Sequence, residues 1–394
     1  METQFFENCL QNKNINQLEE IAMNMRSTLI ALTIVMSAQA IGFAQPPRGG
    51  KTREQAIDAA IAFLKGAQSE DGSWSKAASP GVTGIVLAGL LKSGKVRSDE
   101  APASAALKHI ESMIDSGEGH LAGGPGRIFH KNYITSVNLA ALKAADNAKY
   151  DPIISAATSY LKKGQAGASD GKTASDPNYG GFGYGPNTRS DLSNSHFVLD
   201  ALKLANLPKD DPVYQRAVVF ISRMQNLKGE FNDQPWASKI NDGSFIYVLP
   251  QPGAKTDPSE PRPGYGSMTA AGVKGLLYCG VSRDDARVKK GTEWIANNYS
   301  VDINPGRQEG AGGQGYYYYL LTLAKCMEVM GDDEFTDAKG KKHDWRAEIT
   351  RALINRQKPN GSWANDFGTW METNPNLCTG YALQTLEICK PKSK

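Results

Sequence analysis

A short helical pattern returns six times along this chain, each copy preceded by a second helical segment, and this repeat limits the possible folds more than any other feature. The copies align on Leu90, Leu142, Leu202, Leu276, Leu323 and Leu386. Three residues earlier stands Leu87, Leu139, Leu199, Val273, Leu320 or Leu383, apolar in each copy. Seven residues earlier stands Thr83, Thr135, Ser195, Thr269, Tyr316 or Thr379, a hydroxyl in each copy. The intervals between anchors are 52, 60, 74, 47 and 63 residues, so the length variation falls in the connections. A period of that size marks stacked supersecondary units sharing one continuous core.

Positions −7, −3 and 0 form one stripe on a helix of about 3.6 residues per turn. Partner helices are predicted over 53–67, 103–116, 152–163, 213–226, 285–299 and 344–358, with Asp285 and Asp344 as N-caps or first-turn acids. Twelve helices in six antiparallel pairs predict an all-α fold, an (α/α)6 toroid whose inner ring lines a cavity and whose outer ring covers it. The alternative is an open solenoid, in which the last unit never meets the first. Residues 46–394 are expected to form a single domain.

Residues 1–45 read differently. Met25-Arg26 opens a short apolar run, Leu29 to Met36, followed by Ser37-Ala38-Gln39-Ala40. A charged start, a short apolar core and a small-x-small site form a secretory signal, with Met25 as the expected start. The run is too short to cross a bilayer, which takes roughly 20 apolar residues. Export is therefore expected, to the periplasm, cell envelope or medium, and it leaves room for peripheral membrane or envelope contact. The net charge of +3 has no repeating basic stripe behind it, which argues against a nucleic-acid partner. Cys279, Cys326 and Cys389 each fall three residues after an anchor, in a small-residue slot between helices, and are expected as buried free thiols.

The connections into the inner helices, 118–132, 166–190, 228–266, 300–315 and 359–376, are long, rich in glycine and aromatic, and all emerge at one end. Long ordered loops on one face of a scaffold are where binding sites form. If the anchor stripe points outward, positions −9, −5 and −2 point to the axis. That lining comprises Tyr133, Ser193, Ser267 and Gln314; then Ile85, Val137, Phe197, Ala271, Tyr318 and Tyr381; then Asp200, Lys274, Leu321 and Gln384. Asp191, Asn194 and His196 are expected near the mouth, with Tyr316, Tyr317 and Tyr319 across from them. Asp200 and Lys274 share a layer and are expected to pair, since a buried charge requires a partner. Asp191, His196 and Asp200 are the candidate catalytic groups, His196 because it stands one turn from Asp200, where a carboxylate can orient an imidazole. A plain structural ion pair and a packed histidine are the competing readings of the same residues.

Two segments, Gln68 to Trp74 and Gln357 to Trp363, fit Q-x-x-x-G-x-W, and Gln225 to Phe231 fits with Phe in place of Trp. They resemble the QW repeats of squalene–hopene cyclases and the related repeats of protein prenyltransferase β-subunits, over about residues 50–390. The chain also looks like the exported squalene-cyclase-like proteins of planctomycete bacteria, through Gln314 to Tyr319 and His343 to Arg346. The resemblance implies the toroid and an isoprenoid-sized cavity. It also shows departures. Triterpene cyclases protonate an alkene with the middle Asp of a D-x-D-D motif; in the matching register, Asp191-Leu192-Ser193-Asn194, that place is Ser193. The Asp-x-Cys zinc pair of the prenyltransferases is matched by Asn376-Leu377-Cys378, which lacks the carboxylate, so neither a metal nor a cofactor is expected.

Three functions follow: an exported toroid binding an isoprenoid or similar apolar ligand, with any catalysis altered; a non-catalytic interaction scaffold; or a carbohydrate-active lyase or hydrolase. The last requires two carboxylates across the cleft.

Overall fold

The computed structural model describes residues 50–123, 130–249, 257 and 259–391. The expected leader and start at Met25 lie outside the described residues. Lys51–Lys394 forms one compact unit.

Twelve helices alternate between two rings. The outer helices are α1 (Arg53–Ala67), α3 (Ala103–Glu111), α5 (Asp151–Lys163), α7 (Pro212–Arg223), α9 (Ala286–Asn297) and α11 (Trp345–Arg356). The inner helices are α2 (Gly81–Lys92), α4 (Lys131–Ala144), α6 (Leu192–Leu204), α8 (Gly266–Tyr278), α10 (Tyr316–Met330) and α12 (Pro375–Ile388). Each inner helix packs on the next, and α12 packs on α2, so the ring closes. The open solenoid is thereby excluded. A two-residue antiparallel ribbon, β1 (Phe335–Thr336) with β2 (Lys342–His343), joins α10 to α11.

The two rings differ because their surroundings differ. In α2 every residue from Gly81 to Leu90 is buried, since one face meets the outer ring and the other the axis. A helix apolar on all sides is one enclosed on all sides. Outer helices bury a single stripe; α5 buries Ile154, Ala157, Tyr160 and Leu161. Their starts are capped as expected: Asp285 accepts from the Arg287 amide and Asp344 from the Ala347 amide.

The hydroxyl at position −7 has a defined task in every copy but that of Tyr316, whose hydroxyl donates to the Val301 carbonyl. Thr83 accepts from the Trp74 amide, Thr135 from Leu121, Ser195 from Phe182, Thr269 from Phe245 and Thr379 from Trp363, all at 3.0–3.1 Å. Each bond ties the turn after an outer helix to the inner helix that follows. Gln68 and Gln357 tie the same turn sideways. Gln68 Nε2 donates to the carbonyls of Gly72 and Pro102, and Gln357 Nε2 to those of Gly361 and Ala56. The indoles of Trp74 and Trp363 donate to Leu64 and Leu353, carbonyls left over at the ends of their own outer helices.

The third copy is corrected. Gln225 bonds Gly243 and Arg287, and the ring that fills the tryptophan's place is Phe245, fully buried. Phe231 is 47% exposed, its ring stacked on the Arg287 guanidinium. A further copy runs from Gln165, which bonds Gly180 and Val213, to the buried Phe182. The four cysteines of the unit are free; Cys326, Cys378 and Cys389 are buried and Cys279 is half-buried.

Candidate functional site

The first turns of the inner helices and the long loops meet around a central cavity of about 140 Å³. Of the residues read from the sequence, Tyr133, Ser193, Asn194, Phe197, Ser267, Tyr318 and Tyr381 line it. Six of these stand at positions −9 and −5, which therefore face the axis. The aromatic wall is ordered: Phe197 stacks on Tyr318 at 5.7 Å and meets Tyr133 edge-on at 5.0 Å. The Ser193 and Tyr318 hydroxyls lie 3.1 Å apart.

Below Phe197 is a second, smaller space lined by Ile85, Val137, Asp200, Leu321, Lys325 and Gln384. Phe197 borders both spaces and divides the axis of the toroid. Asp200 and Gln384 thus belong to the lower compartment rather than to the main cavity, and Gln384 donates to the Ile85 carbonyl at 2.9 Å.

Lys274 lines neither space. It is buried and donates to Asp200, whose other oxygen accepts from Lys325 at 2.8 Å. Burial alone would raise the Asp200 pKa, but Lys274 and Lys325 together hold it below the usual carboxylate range. Lys325 follows Leu321 by one helical turn, so carrying the −2 stripe one turn further along the helix would have found it.

Three other expectations are corrected. His196 is buried, 3.7 Å from Asp200 and edge-on to Phe197 and Tyr318. That distance exceeds a hydrogen bond, and burial drives its pKa well down, leaving a packed neutral ring. Tyr317 is buried against Tyr316 and does not reach the cavity. Four consecutive tyrosines on a helix point four ways, and only Tyr318 points to the axis. Gln314 precedes α10 in a turn, its amide bonded to Ala311 and its carbonyl to Asn304, and it lies off the lining.

Asp191 stands one step behind the wall. It caps α6, taking the Asn194 amide at 2.8 Å and the Asn194 side-chain nitrogen at 2.7 Å. Burial raises its pKa to about 6. Asn194 Oδ1, buried at the cavity, has no hydrogen-bond partner.

The loops supply what helix periodicity could not assign: Tyr184, Tyr247, Tyr265, Arg307, Trp370 and Glu372 complete the mouth. Their loops were identified, and an isolated Trp or Arg in a glycine-rich connection was the available signal. Glu372 is buried and caps α10, accepting from the Tyr318 amide at 2.8 Å, the Tyr317 amide at 3.3 Å and Asn365 Nδ2 at 2.7 Å. Among the described residues it is the sole carboxylate lining the cavity. Arg307 stacks 3.6 Å from the Tyr265 ring centroid and 4.5 Å from that of Trp370. Trp370 and Met371 hold left-handed backbone, with φ of 54° and 65°. Such strain costs about 1–3 kcal/mol per residue and collects at ligand clamps.

Among the described residues, a closed double ring of twelve helices around a central axis defines the class: the protein is an (α/α)6 toroid. By sequence the chain matches no family model and no curated protein. By structure it is similar to the type II terpene cyclase MstE from Scytonema. A variant of that enzyme in complex with geranylgeranyl dihydroxybenzoate, its substrate, aligns with a TM-score of 0.53 at 13% identity, over 86% of this chain and 97% of its own. An apo variant aligns equally well at 14% identity, over 86% and 96%. A possible GH105 family member from Salmonella enterica, 11% identical over 89% of this chain and 96% of its own, aligns at 0.47, too loosely to bear on the fold. Identity this low speaks for the fold alone.

Proposed function

We propose that this toroid holds an isoprenoid or a similar small, largely apolar ligand in its central cavity, with the cyclase acid motif and the prenyltransferase zinc pair both degraded. The observation that carries this reading is the wall of Tyr133, Phe197, Tyr318 and Tyr381, in which apolar area is offered to a guest at about 25 cal/mol per Å². MstE, on the same fold, binds a geranylgeranyl compound as substrate. A space of about 140 Å³ is of the order that admits one benzene-sized group, so it suits an aromatic ring or a short prenyl segment, and a longer chain requires Phe197 to turn aside.

The altered motifs support binding without the family chemistry. Ser193 stands where a strong acid is required, and the Cys378 thiol is buried, donating to the Glu372 carbonyl at 2.9 Å. Paired-carboxylate hydrolysis finds only Glu372 on the wall among the described residues, already committed to capping α10. The sequence of residues 25–40 supports export. The exposed Ile303, Phe367 and Trp370, which pack on glycines 312, 313 and 315, support contact with a membrane surface beside the mouth.

The test is a titration of purified protein with geraniol and geranylgeraniol beside a panel of oligosaccharides. Saturable binding of the prenyl alcohols, lost in a Ser193→Phe variant of unchanged helicity that fills the cavity, is expected. Sugar binding without prenyl binding would replace this reading with the carbohydrate one, and silence to both would favour the interaction scaffold.

A further inference from the structure

Among the described residues, Arg307 is a cation without a counter-ion in the wall of an aromatic cavity. Its Nε and Nη2 are buried and have no hydrogen-bond partner, and among the described residues no carboxylate pairs with it. Glu372, the carboxylate on the same wall, is occupied by two backbone amides and Asn365. Burial lowers the Arg307 pKa without discharging it, as guanidinium stays protonated in proteins.

Donors buried without a partner are costly, and here the surroundings fix the half-buried guanidinium in place. Tyr265 covers one part of the guanidinium and Trp370 another, and its Nε and Nη2 are left as the unpartnered donors. Trp370 reaches that position through two consecutive residues at positive φ. A stacked guanidinium with free in-plane donors is suited to carboxylate or phosphate oxygens.

We propose that Arg307, held between Tyr265 and Trp370, is the seat of an anionic head group, a carboxylate or phosphate, on a ligand whose apolar part enters the cavity. The preference for an amphiphile over a neutral prenyl compound rests on the reading of the cavity given above; the anion site itself does not.

The experiment compares geraniol, geranic acid, geranyl phosphate and inorganic phosphate by calorimetric titration of the full chain, in wild type and in Arg307→Gln. At least one geranyl anion is expected to bind tenfold or more tightly than geraniol, with an advantage that shrinks as salt rises. Arg307→Gln is expected to abolish that advantage, with circular dichroism showing that the fold is intact. Should Arg307→Gln fail to fold, Arg307→Lys, which keeps the charge but loses the planar donors, is expected to lose most of the preference. Equal affinity for anion and alcohol, or a preference untouched by either variant, overturns the anion site and leaves the cavity reading standing. Arg307-dependent binding of inorganic phosphate with no response to any prenyl compound upholds the site and overturns the cavity reading. Silence to all four overturns both.

Discussion

Gly361 and Ala59 close the ring. Gly361, in the turn after the last outer helix, takes a φ of 88° and lies so near the first outer helix that a Cβ placed on it would stand 2.2 Å from the Ala59 carbonyl oxygen. Gln357 reaches the same helix at the Ala56 carbonyl, 2.8 Å away. The relation repeats around the toroid: Gly72 faces Ala105, Gly119 faces Ala156, Gly180 faces Arg216 and Gly243 faces Lys290 in the same way.

That geometry sets the cost of adding one methyl group. Gly361→Ala incurs both the left-handed backbone penalty, about 1–2 kcal/mol, and overpacking of about 1–3 kcal/mol. Gly340 shares the backbone conformation, with φ of 79°, but has open space around it. Gly340→Ala is expected to lose only the first contribution. Urea unfolding of the two variants checks this, and equal losses would mean that the contact across the closure is loose.

Phe245 and Phe231 offer a second contrast. Phe245→Ala removes a fully buried ring whose place in the repeat is fixed by Thr269, and is expected to destabilise by about 3–5 kcal/mol. Phe231→Ala forfeits an exposed stacking contact with Arg287, worth about 1 kcal/mol or less. The opposite ranking, measured by thermal unfolding, would return the third repeat to its reading from spacing.

The same pair shows where the sequence was legible. Helix periodicity located both rings and the axial face, because burial on two sides of an inner helix writes itself into every turn. The glutamine–aromatic turn was readable at Trp74 and Trp363, where the two residues are separated by one tight turn. At Gln225 and Gln165 the chain inserts a loop between the same two functions, so contiguous matching chose Phe231 and passed over Phe182. Arg307, Trp370 and Glu372 sit in irregular backbone, where no period links a residue to a direction. They became visible only when the fold brought their loops over the cavity.

Asp200 predicts a pH dependence. Its folded pKa lies below the unfolded carboxylate value of about 3.9 because Lys274 and Lys325 flank it. A depressed acid contributes stability that is present above the unfolded pKa and is lost as pH falls below it. Asp200→Asn strands Lys274 in the interior and is expected to cost about 3–5 kcal/mol at pH 7. The gap from wild type should narrow steadily below about pH 4. Adding Lys274→Met should restore much of the loss. A gap that does not change with pH would remove the ion pair from the account.

The final prediction concerns chemistry. Protonating an isolated alkene takes a strong, positioned acid, and the wall offers none in the expected register. Ser193 presents a hydroxyl bonded to Tyr318, and Asp191 stands behind Asn194. Burial raises Asp191 to about 6, so it is a weaker acid than a free carboxyl group, and above that pH it is mainly ionised. Squalene is therefore expected to be recovered unchanged between about pH 5 and 7, a range set by the roughly one-unit window on either side of such a titration. Replacing Asp191 by Asn should alter nothing in that assay. Restoring carboxylates with Ser193→Asp and Asn194→Asp tests whether register was the missing component. Cyclic product from the unmodified protein would defeat the argument and direct the search to Glu372, the one carboxylate among the described residues that faces the cavity.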